Sequence, residues 1–289
     1  MQIYIDGAYC DRDSAKVSVF DHGLLYGDGV FEGIRAYHRR IFRLEAHLDR
    51  LYASAHALAL TVPLSRAAMA EAVKETVRRN RRDDVYIRLV VTRGVGELGI
   101  DPLSCPTPSV IIICNDVRVY PRELYAGGIK VMTSATRQVS HEAVDPRIKS
   151  LNYLKNILAK IDAQQDGAHE AIMLYAQGFI AECTADNLFV VRNGQLLTPS
   201  PQDGALEGIT RGVILELAGE ARLPAAEAHL TRYDLYTADE AFVTGTGAEL
   251  MPVTSADGRP GADGAPGPIT KRLTDAFHAL VRNEGEPLW

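Results

Sequence analysis

The chain has 289 residues, with 31 basic and 37 acidic side chains and a formal net charge of −6 at pH 7. A chain of this length buries roughly three-quarters of its extended surface on folding, so a large core and two domains are expected. Nucleic acids and membrane surfaces both require a positive patch on the protein. The mild acidity, without long like-charge runs, therefore argues against either as a partner.

The four cysteines, Cys10, Cys105, Cys114 and Cys183, have spacings that fit neither a zinc site nor a disulfide framework. The N-terminus lacks the basic and apolar regions of a signal peptide. No apolar run reaches the roughly 18 residues that a membrane span needs. We therefore expect a cytoplasmic protein with no metal site and no membrane partner.

The first part of the chain, residues 1–119, is predicted to be a small α/β domain. Strands are predicted at Gln2–Asp6, Lys16–Phe20, Val30–Tyr37, Ile41–Leu44, Asp84–Thr92 and Ser109–Asn115. Apolar spacing predicts helices over Glu45–Leu60 and from the N-cap Ser65 to Arg79. The glycine- and proline-rich segment Gly94–Pro108 is predicted to be a functional or mobile loop.

Residues 120–128 are predicted to link this domain to a larger C-terminal domain, residues 129–289. Its strands are predicted at Ile129–Thr133, Glu170–Tyr175, Phe179–Glu182, Asn187–Arg192, Gln195–Thr198 and Glu240–Thr244. Its helices are predicted at Leu151–Gln164, Thr210–Ala221 and Ile269–Arg282. Asn193-Gly194 predicts a tight hairpin, and residues 257–268 a surface loop.

One lysine stands out by its position. Lys74, Lys155, Lys160 and Lys271 fall within predicted helices, where a solvated charge is expected. Lys149 instead follows an irregular segment and immediately precedes a helix, a position from which a rigid backbone can present it to a cleft. A desolvated lysine is nucleophilic and forms Schiff bases with aldehydes. The alternative is that Lys149 simply begins the helix.

Other polar groups favour a cofactor. Glu182 lies in an apolar strand, where a carboxylate needs a partner: a pyridinium nitrogen, or more simply an arginine. Tyr153 lies one helical turn beyond Lys149. The turns Leu206–Arg211 and Gly245–Gly247 either cradle a phosphate or are ordinary caps and turns. Together these groups match the polar atoms of pyridoxal 5′-phosphate.

The sequence resembles the class IV aminotransferases over almost its whole length. The motifs that carry the resemblance occur in the family's order: 21-DHGLLYGDGVFEGIR-35, 86-YIR-88, 149-KSLNYL-154, 178-GFIAE-182, 186-DNLF-189, 208-GITR-211 and 245-GTGAE-249. The resemblance implies a mixed α and β fold of the fold type IV pyridoxal-phosphate enzymes, similar to D-amino acid aminotransferase. In that fold a smaller α/β domain precedes a larger β-barrel-like domain.

The resemblance also implies the role of each site residue. Lys149 would hold the cofactor as a Schiff base and carry the proton at Cα, Glu182 would pair with the pyridine nitrogen, and Tyr153 with the ring hydroxyl. The phosphate would be bound by Arg50, Ile209, Thr210 and Thr246; the role of Arg50 rests on the resemblance alone. Substrate would be held by Tyr26, Phe31, Gly33, Arg35, Tyr86, Arg88 and Gly247.

Within the family, 31-FEGIR-35 resembles the branched-chain amino acid members, whereas D-amino acid aminotransferases more typically have tyrosine at position 31. The loop after Arg93 also lacks their Arg-x-His pair; Gly247 stands where alanine is usual. The resemblance implies ping-pong transamination between L-leucine, L-isoleucine or L-valine and 2-oxoglutarate by a homodimer or larger assembly. A D-amino acid or R-amine aminotransferase, an aminodeoxychorismate lyase and a non-catalytic binding module remain as alternatives.

Overall fold

The computed structural model describes residues 1–116, 119–261 and 264–289, which form two units. The first unit contains the residues before the gap at 117–118, together with Ile148–Asn152 and Val281–Trp289. The second contains the residues from that gap to Arg147, and Tyr153–Leu280. Residues 117–118 of the predicted first domain and 262–263 of the predicted surface loop lie outside the described ranges. The predicted domain boundaries stay predictions.

The first unit is built on an antiparallel sheet. Its strands are β1 (Gln2–Ile5), β2 (Ala8–Asp11), β3 (Gly29–Tyr37), β4 (Arg40–Ile41), β5 (Val85–Thr92), β6 (Ser109–Asn115) and β16 (Glu286–Pro287). They are ordered β16-β4-β3-β5-β6-β1-β2. The helices of this unit are α1 (His22–Tyr26), α2 (Leu44–Ala57) and α3 (Arg66–Asn80), with a 3₁₀ turn at Pro102–Ser104.

The two faces of this sheet differ in chemistry. In β5, Ile87 and Leu89 point into a core that they share with Leu48 and Leu51 of α2. Successive strand residues point to opposite faces, so Tyr86 and Arg88 lie on the other face. That second face carries most of the first unit's predicted substrate residues.

The second unit is built on a mixed sheet. Its strands are β7 (Ile129–Thr133), β8 (Glu170–Leu174), β9 (Ile180–Cys183), β10 (Asn187–Arg192), β11 (Gln195–Pro199), β12 (Ala225–Ala228), β13 (Glu240–Gly245), β14 (Glu249–Ala256) and β15 (Arg259–Pro260). Their order is β12-β11-β10-β13-β14-β7-β8-β9, and β15 pairs with β14. The helices are α4 (Arg122–Gly127), α5 (Leu154–Gln165), α6 (Ile209–Glu220), α7 (Arg232–Tyr236) and α8 (Pro268–Asn283), with a 3₁₀ turn at Pro201–Asp203.

Local sequence signals place several element ends correctly. Asn193 and Gly194 both have positive φ, of 50° and 73°, and join β10 to β11 as the predicted tight hairpin. The hydroxyl of Ser65 accepts a hydrogen bond from the Ala68 N–H and caps α3 as predicted. No helix in the described ranges is long and apolar enough to span a membrane.

Two predictions about elements were wrong. Lys16–Phe20 is not a strand; all five residues are exposed, with no strand paired to them in the described structure. Ile41–Leu44 was predicted as a return strand, but β4 ends at Ile41 and α2 begins at Leu44. Lys16–Phe20 has no strand beside it in the described structure, and strand formation depends on such neighbours. Strand β4 does pair with β3 as the return strand of a hairpin, but α2 begins three residues after Ile41.

Helix α5 packs through an unexpected face. Helical spacing predicts one apolar side made of Leu151, Leu154, Ile157, Leu158 and Ile161. Leu151 precedes the helix, and the other four are all exposed, by 41 to 69%. Its buried residues are instead Asn156, Ala159 and Ala163, whose small or polar side chains let the helix pack closely. The helix begins at Leu154, three residues later than predicted.

Candidate active site

Lys149 is held against strand β3 of the first unit. The N–H of Phe31 donates to the Lys149 carbonyl at 3.0 Å, and the N–H of Leu151 donates to the Gly29 carbonyl at the same distance. The N–H of Lys149 itself donates to Ser54 Oγ on α2 at 3.1 Å. The backbone of this lysine is therefore fixed, as its predicted position suggested. Its Nζ lies 4.6 Å from the centre of the Phe31 ring.

Arg88 and Tyr86 lie beside the same ring. The Arg88 guanidinium carbon is 4.5 Å from the Phe31 ring centre, and Nη2 donates to the Tyr86 hydroxyl at 3.1 Å. Gly33 makes room for that hydroxyl, because a Cβ there would lie 2.1 Å from it. The structure thus brings Lys149, Phe31, Gly33, Tyr86 and Arg88 together on one face.

The described side-chain contacts of two other predicted substrate residues lie outside this group. Arg35 pairs with Tyr86 across the β3–β5 ladder, but its guanidinium stacks on Tyr37, 4.7 Å from the ring centre. Tyr26 lies at the end of α1 and accepts a hydrogen bond from the Gly99 N–H at 2.9 Å. None of the contacts described for Tyr26 joins it to Phe31 or Arg88.

Arg50 is held by a carboxylate that sequence reasoning did not assign. Arg50 Nε donates to Glu32 Oε1 at 2.7 Å and Nη2 donates to Oε2 at 2.9 Å. His47 Nδ1 lies 2.7 Å from Glu32 Oε2 and must donate its proton, because an ionised carboxylate only accepts. A charged residue in the apolar run 30-VFEGI-34 was the available signal, the same one that identified Glu182.

Electrostatics explain how these buried groups coexist. Burial alone would raise the pKa of Glu32, but the charge of Arg50, together with His47 and the hydrogen bonds of both, lowers that pKa to about 2. Burial lowers the pKa of His47, and the Arg50 and Lys149 cations add to this, against the opposing effect of Glu32. We therefore describe an ionised Glu32–Arg50 pair supported by a neutral His47.

In the second unit, Glu182 projects from β9 into a set of N–H donors. Gln138 Nε2 donates to Oε1 at 3.2 Å, and the Leu206 N–H donates to Oε2 at 3.0 Å. Asn187 Nδ2 makes a longer contact, 3.4 Å, with Oε2. Neither Gln138 nor Asn187 was predicted as a site residue. Both side chains are uncharged amides, and Gln138 lies 44 residues from Glu182 in sequence, so no local pattern marks these contacts.

Helix α6 begins close to Glu182 and presents unpaired N–H groups. Its N-cap is Gly208, which has no side chain to cap the helix. Within the described part of the chain, the N–H groups of Ile209 and Thr210 have no hydrogen-bond acceptor. A Cβ on Gly208 would lie 2.0 Å from Asn187 Oδ1, so the glycine lets Asn187 approach the start of the helix.

Strand β13 pairs with β10, the strand that begins at Asn187, and a turn follows β13. Asn187 pairs with Thr244, whose Oγ1 is buried without a hydrogen-bond partner in the described structure. Two residues later, Thr246 and Gly247 form the turn between β13 and β14. Tyr153 is the N-cap residue of α5. The structure therefore brings Glu182, Ile209 and Thr210 near one another through Asn187, and the strand pairing extends this group to the Thr246 turn.

Comparison with known proteins identifies the family. A family model for amino-transferase class IV matches residues 29–256. The chain is a class IV aminotransferase.

Several relatives resemble this class IV aminotransferase over nearly their whole length. A Methanocaldococcus jannaschii protein, provisionally named a branched-chain-amino-acid aminotransferase, is 49% identical over 277 residues, covering 96% of this chain and 95% of that protein. The Escherichia coli branched-chain amino acid aminotransferase structure matches with a TM-score of 0.95 and 36% identity, over 100% of this chain and 97% of that one. The T.th. branched-chain enzyme, complexed with N-(5′-phosphopyridoxyl)-L-glutamate, matches with a TM-score of 0.91 and 36% identity, over 97% of this chain and 94% of that one. The predicted mixed α and β fold is confirmed.

The residues of this aminotransferase fit pyridoxal phosphate, the cofactor of the family. The unpaired N–H groups at the start of α6 suit a phosphate, because a helix N-terminus attracts anions. The orphaned Thr244 hydroxyl is a further buried group that lacks a partner within the described residues. Glu182 is a carboxylate already oriented by N–H donors and suited to a protonated ring nitrogen.

Two other lysines of the aminotransferase differ from the sequence prediction. Lys155 and Lys160 were expected to be solvated. Instead, Lys160 Nζ pairs with the buried Glu170 at 2.8 Å. Burial lowers the pKa of Lys155, partly offset by the Glu182 charge. The helical pattern missed both because α5 buries its polar and small face rather than its apolar one.

Proposed function

We propose that this class IV aminotransferase is a branched-chain amino acid aminotransferase. It transfers the amino group of L-leucine, L-isoleucine or L-valine to 2-oxoglutarate, giving the branched 2-oxo acid and L-glutamate. Pyridoxal 5′-phosphate is its cofactor. The names of the relatives support the branched-chain donor, and the phosphopyridoxyl-L-glutamate adduct of the T.th. enzyme supports glutamate as the other partner.

One observation carries the proposal: a lysine, an aromatic ring and an arginine share one surface. Lys149 Nζ and the Arg88 guanidinium both lie within 5 Å of the Phe31 ring centre. The ring offers an apolar wall to an aliphatic side chain. Arg88 offers a fork that can bind a carboxylate through two hydrogen bonds. A transaminase for these substrates must accept both groups, in turn, near one reactive amine.

The cofactor contacts follow from the chemistry of each side chain. Lys149 is the nucleophile, because its backbone is fixed and an amine condenses readily with an aldehyde. Glu182 pairs with the ring nitrogen, and Tyr153 with the ring hydroxyl. The phosphate is bound by Arg50, whose guanidinium Glu32 orients, and by Ile209, Thr210 and Thr246.

The reaction is then divided between the cofactor and the chain. Bound pyridoxal phosphate supplies an electron sink that makes the substrate Cα–H acidic. Lys149 Nζ would be the base that accepts this proton and the acid that gives it back, in both half-reactions. Glu182 keeps the ring nitrogen protonated. Arg88 or Arg35 binds the γ-carboxylate, and Tyr26, Phe31, Gly33, Tyr86 and Gly247 shape the rest of the substrate pocket.

A half-reaction panel tests the substrate assignment. The purified holoenzyme is mixed with one amino donor at a time, and the cofactor absorbance is followed. L-leucine, L-isoleucine and L-valine should each convert the cofactor, and 2-oxoglutarate should restore the original spectrum. Conversion by D-alanine or an R-amine alone would replace the proposal with that activity. Pyruvate release from aminodeoxychorismate would instead identify a lyase.

Borohydride trapping tests the lysine. Reduction of the holoenzyme followed by peptide mapping should place the cofactor on Lys149. Lys155 is the informative competitor, because its pKa is lowered by burial and a lowered pKa favours nucleophilic attack. Cofactor on the Lys155 peptide would overturn the assignment of Lys149 while keeping the enzyme class. Absence of bound cofactor would support a non-catalytic binding module.

We further propose a cytoplasmic homodimer or larger assembly. The exposed apolar residues Leu154, Ile157, Leu158 and Ile161 on α5 support self-association, because water-exposed leucine and isoleucine favour burial. The four unpaired cysteines are compatible with a reducing compartment. Sedimentation velocity should show a dimer or larger species that Leu158→Glu dissociates. A wild-type monomer at micromolar concentration would contradict this.

A further inference from the structure

Three N–H donors hold the carboxylate of Glu182. Among its described contacts, the two side-chain donors are the amides of Gln138 and Asn187, and the third donor is the backbone N–H of Leu206. Gln138 and Asn187 are both buried, with 4 and 6% of their surface exposed. Their hydrogen bonds are therefore sheltered from competition with water.

Gln138 is itself rigidly placed. Its Nε2 donates a second hydrogen bond to the Gly204 carbonyl at 2.9 Å, and its Oε1 accepts one from the Val139 N–H at 3.1 Å. Its backbone N–H donates to the Leu174 carbonyl at 3.0 Å. Gly204 has φ 92°, and a Cβ there would lie 2.8 Å from Gln138 Cγ. All polar atoms of the amide are thus engaged, and one of its bonds points to Glu182.

We propose that Gln138 is a positioning residue that keeps the proton on the cofactor ring nitrogen. This inference rests on the proposed pairing of Glu182 with that nitrogen. A hydrogen bond donated to a carboxylate stabilises its ionised form and makes it a weaker proton acceptor. The shared proton therefore stays on the nitrogen, where it strengthens the electron sink.

Gln138 also fixes the direction of Glu182 Oε1. Its amide is held at both ends, by Gly204 and Val139, and cannot follow a rotating carboxylate.

The experiment measures the protonation of the ring nitrogen directly. Wild-type and variant holoenzymes are reconstituted with pyridoxal phosphate labelled with ¹⁵N in the ring, and the ¹⁵N chemical shift is recorded. The wild type should give a pyridinium-like shift. Gln138→Leu should move the shift toward that of the unprotonated ring. Its kcat for L-leucine should fall about tenfold, as expected for one hydrogen bond to a charged group, with KM changed less than about threefold.

Two matched variants complete the design. Thr198→Val removes a buried hydrogen bond of the same unit, from Thr198 Oγ1 to the Leu188 carbonyl, without touching Glu182. It should lower the unfolding midpoint as Gln138→Leu does but leave the ¹⁵N shift at the wild-type value. If Gln138→Leu does not fold, Gln138→Glu replaces it. That isostere sets a second carboxylate beside Glu182, so the proton should be held between the two carboxylates and leave the nitrogen.

The outcomes separate this inference from the proposed function. Glu182→Gln should remove the proton from the ring nitrogen. If it does and the Gln138 variants keep the wild-type shift and kcat, the positioning role of Gln138 is wrong and the role of Glu182 stands. If Glu182→Gln itself keeps the wild-type shift, the proposed pairing of Glu182 with the nitrogen fails.

Discussion

Arg50 and Glu32 form a two-pronged ion pair, with Nε 2.7 Å from Oε1 and Nη2 2.9 Å from Oε2. The carboxylate lies on the core face of β3 and is fully buried, whereas the Arg50 side chain is 12% exposed. Two of the guanidinium's three nitrogens are committed to Glu32, which fixes the plane of the third. Glu32 therefore fixes the orientation of Arg50, the arginine proposed to bind the phosphate.

Glu32→Gln is expected to damage both stability and cofactor binding. The substitution leaves the Arg50 charge buried without its counter-ion, which costs about 3 kcal/mol or more of unfolding free energy. Arg50 also loses its fixed orientation, so the affinity for pyridoxal phosphate should fall about tenfold. Urea unfolding of the apoenzyme and cofactor titration measure the two effects separately.

The control for that variant is Glu71→Gln. Glu71 pairs with Arg78 at the surface, where ion pairs contribute at most about 1 kcal/mol. An unfolding free energy of Glu32→Gln that matches the Glu71→Gln value would mean that the buried pair does not stabilise the fold.

Gly208→Ala is expected to weaken cofactor binding without distorting the backbone. The φ of Gly208 is −65°, which alanine adopts freely, but its Cβ would lie 2.0 Å from Asn187 Oδ1. Asn187 must then move, and its hydrogen bonds to Glu182 and the Leu206 carbonyl are disturbed. We expect the dissociation constant of pyridoxal phosphate to rise about tenfold, the equivalent of one hydrogen bond.

The same helix offers a matched control for this substitution. Gly212 lies one turn later in α6, and a Cβ there meets nothing within 4 Å. Gly212→Ala should therefore stabilise the helix by about 0.5–1 kcal/mol and leave cofactor affinity unchanged. Equal affinities for the two variants would show that the Gly208–Asn187 contact does not contribute to cofactor binding.

The sequence pattern predicts individual reactive groups better than it predicts their supports. Glu182 was identifiable because a carboxylate in an apolar strand requires a partner. Glu32 shows the same signal, but its partners His47 and Arg50 lie on a helix 15 and 18 residues away. Gln138 lies in an irregular segment and has no charge, so nothing local marks its contact with Glu182. Supports of this kind depend on tertiary packing.

The prediction errors at the level of secondary structure have the same origin. Lys16–Phe20 has strand-forming residues but no adjacent strand in the described ranges, and such residues form strands only beside one. In α5 the apolar stripe predicted the helix correctly. The apolar residues of α5 did not indicate which face of the helix packs within the chain, because apolar residues are typical both of a protein core and of an interface between proteins.

Arg88→Lys is expected to impair the acceptor more than the donor. Lysine keeps the charge but loses the fork and the hydrogen bond to the Tyr86 hydroxyl. If Arg88 binds the γ-carboxylate, KM for 2-oxoglutarate should rise about tenfold while KM for L-leucine stays within about twofold. Arg35→Lys, on the neighbouring strand β3, is the matched variant for comparison. If Arg35→Lys raises KM for 2-oxoglutarate and Arg88→Lys does not, Arg35 binds the γ-carboxylate. If Arg88→Lys raises KM equally for 2-oxoglutarate and L-leucine, Arg88 binds the α-carboxylate that both share.

The buried carboxyl group of Asp186 should make stability depend on pH. The Tyr120 hydroxyl lies 3.3 Å from Asp186 Oδ2 and 3.4 Å from Glu170 Oε2. Burial, with the added charge of Glu170, raises the pKa of Asp186 to about 7. In the unfolded chain an aspartate has a pKa near 3.9. The folded state therefore binds the extra proton between these values.

The sign of the effect follows from that difference in proton binding. The contribution of Asp186 to stability is fully present below about pH 4 and is lost as pH rises through 7. Asp186→Asn is neutral at every pH, so the unfolding free energy of the variant minus that of the wild type should increase from pH 5 to pH 7. The slope can reach about 1.4 kcal/mol per pH unit. Urea unfolding at pH 5, 6, 7 and 8 measures it. A flat difference for Asp186→Asn would show that Asp186 is ionised in the fold throughout this range.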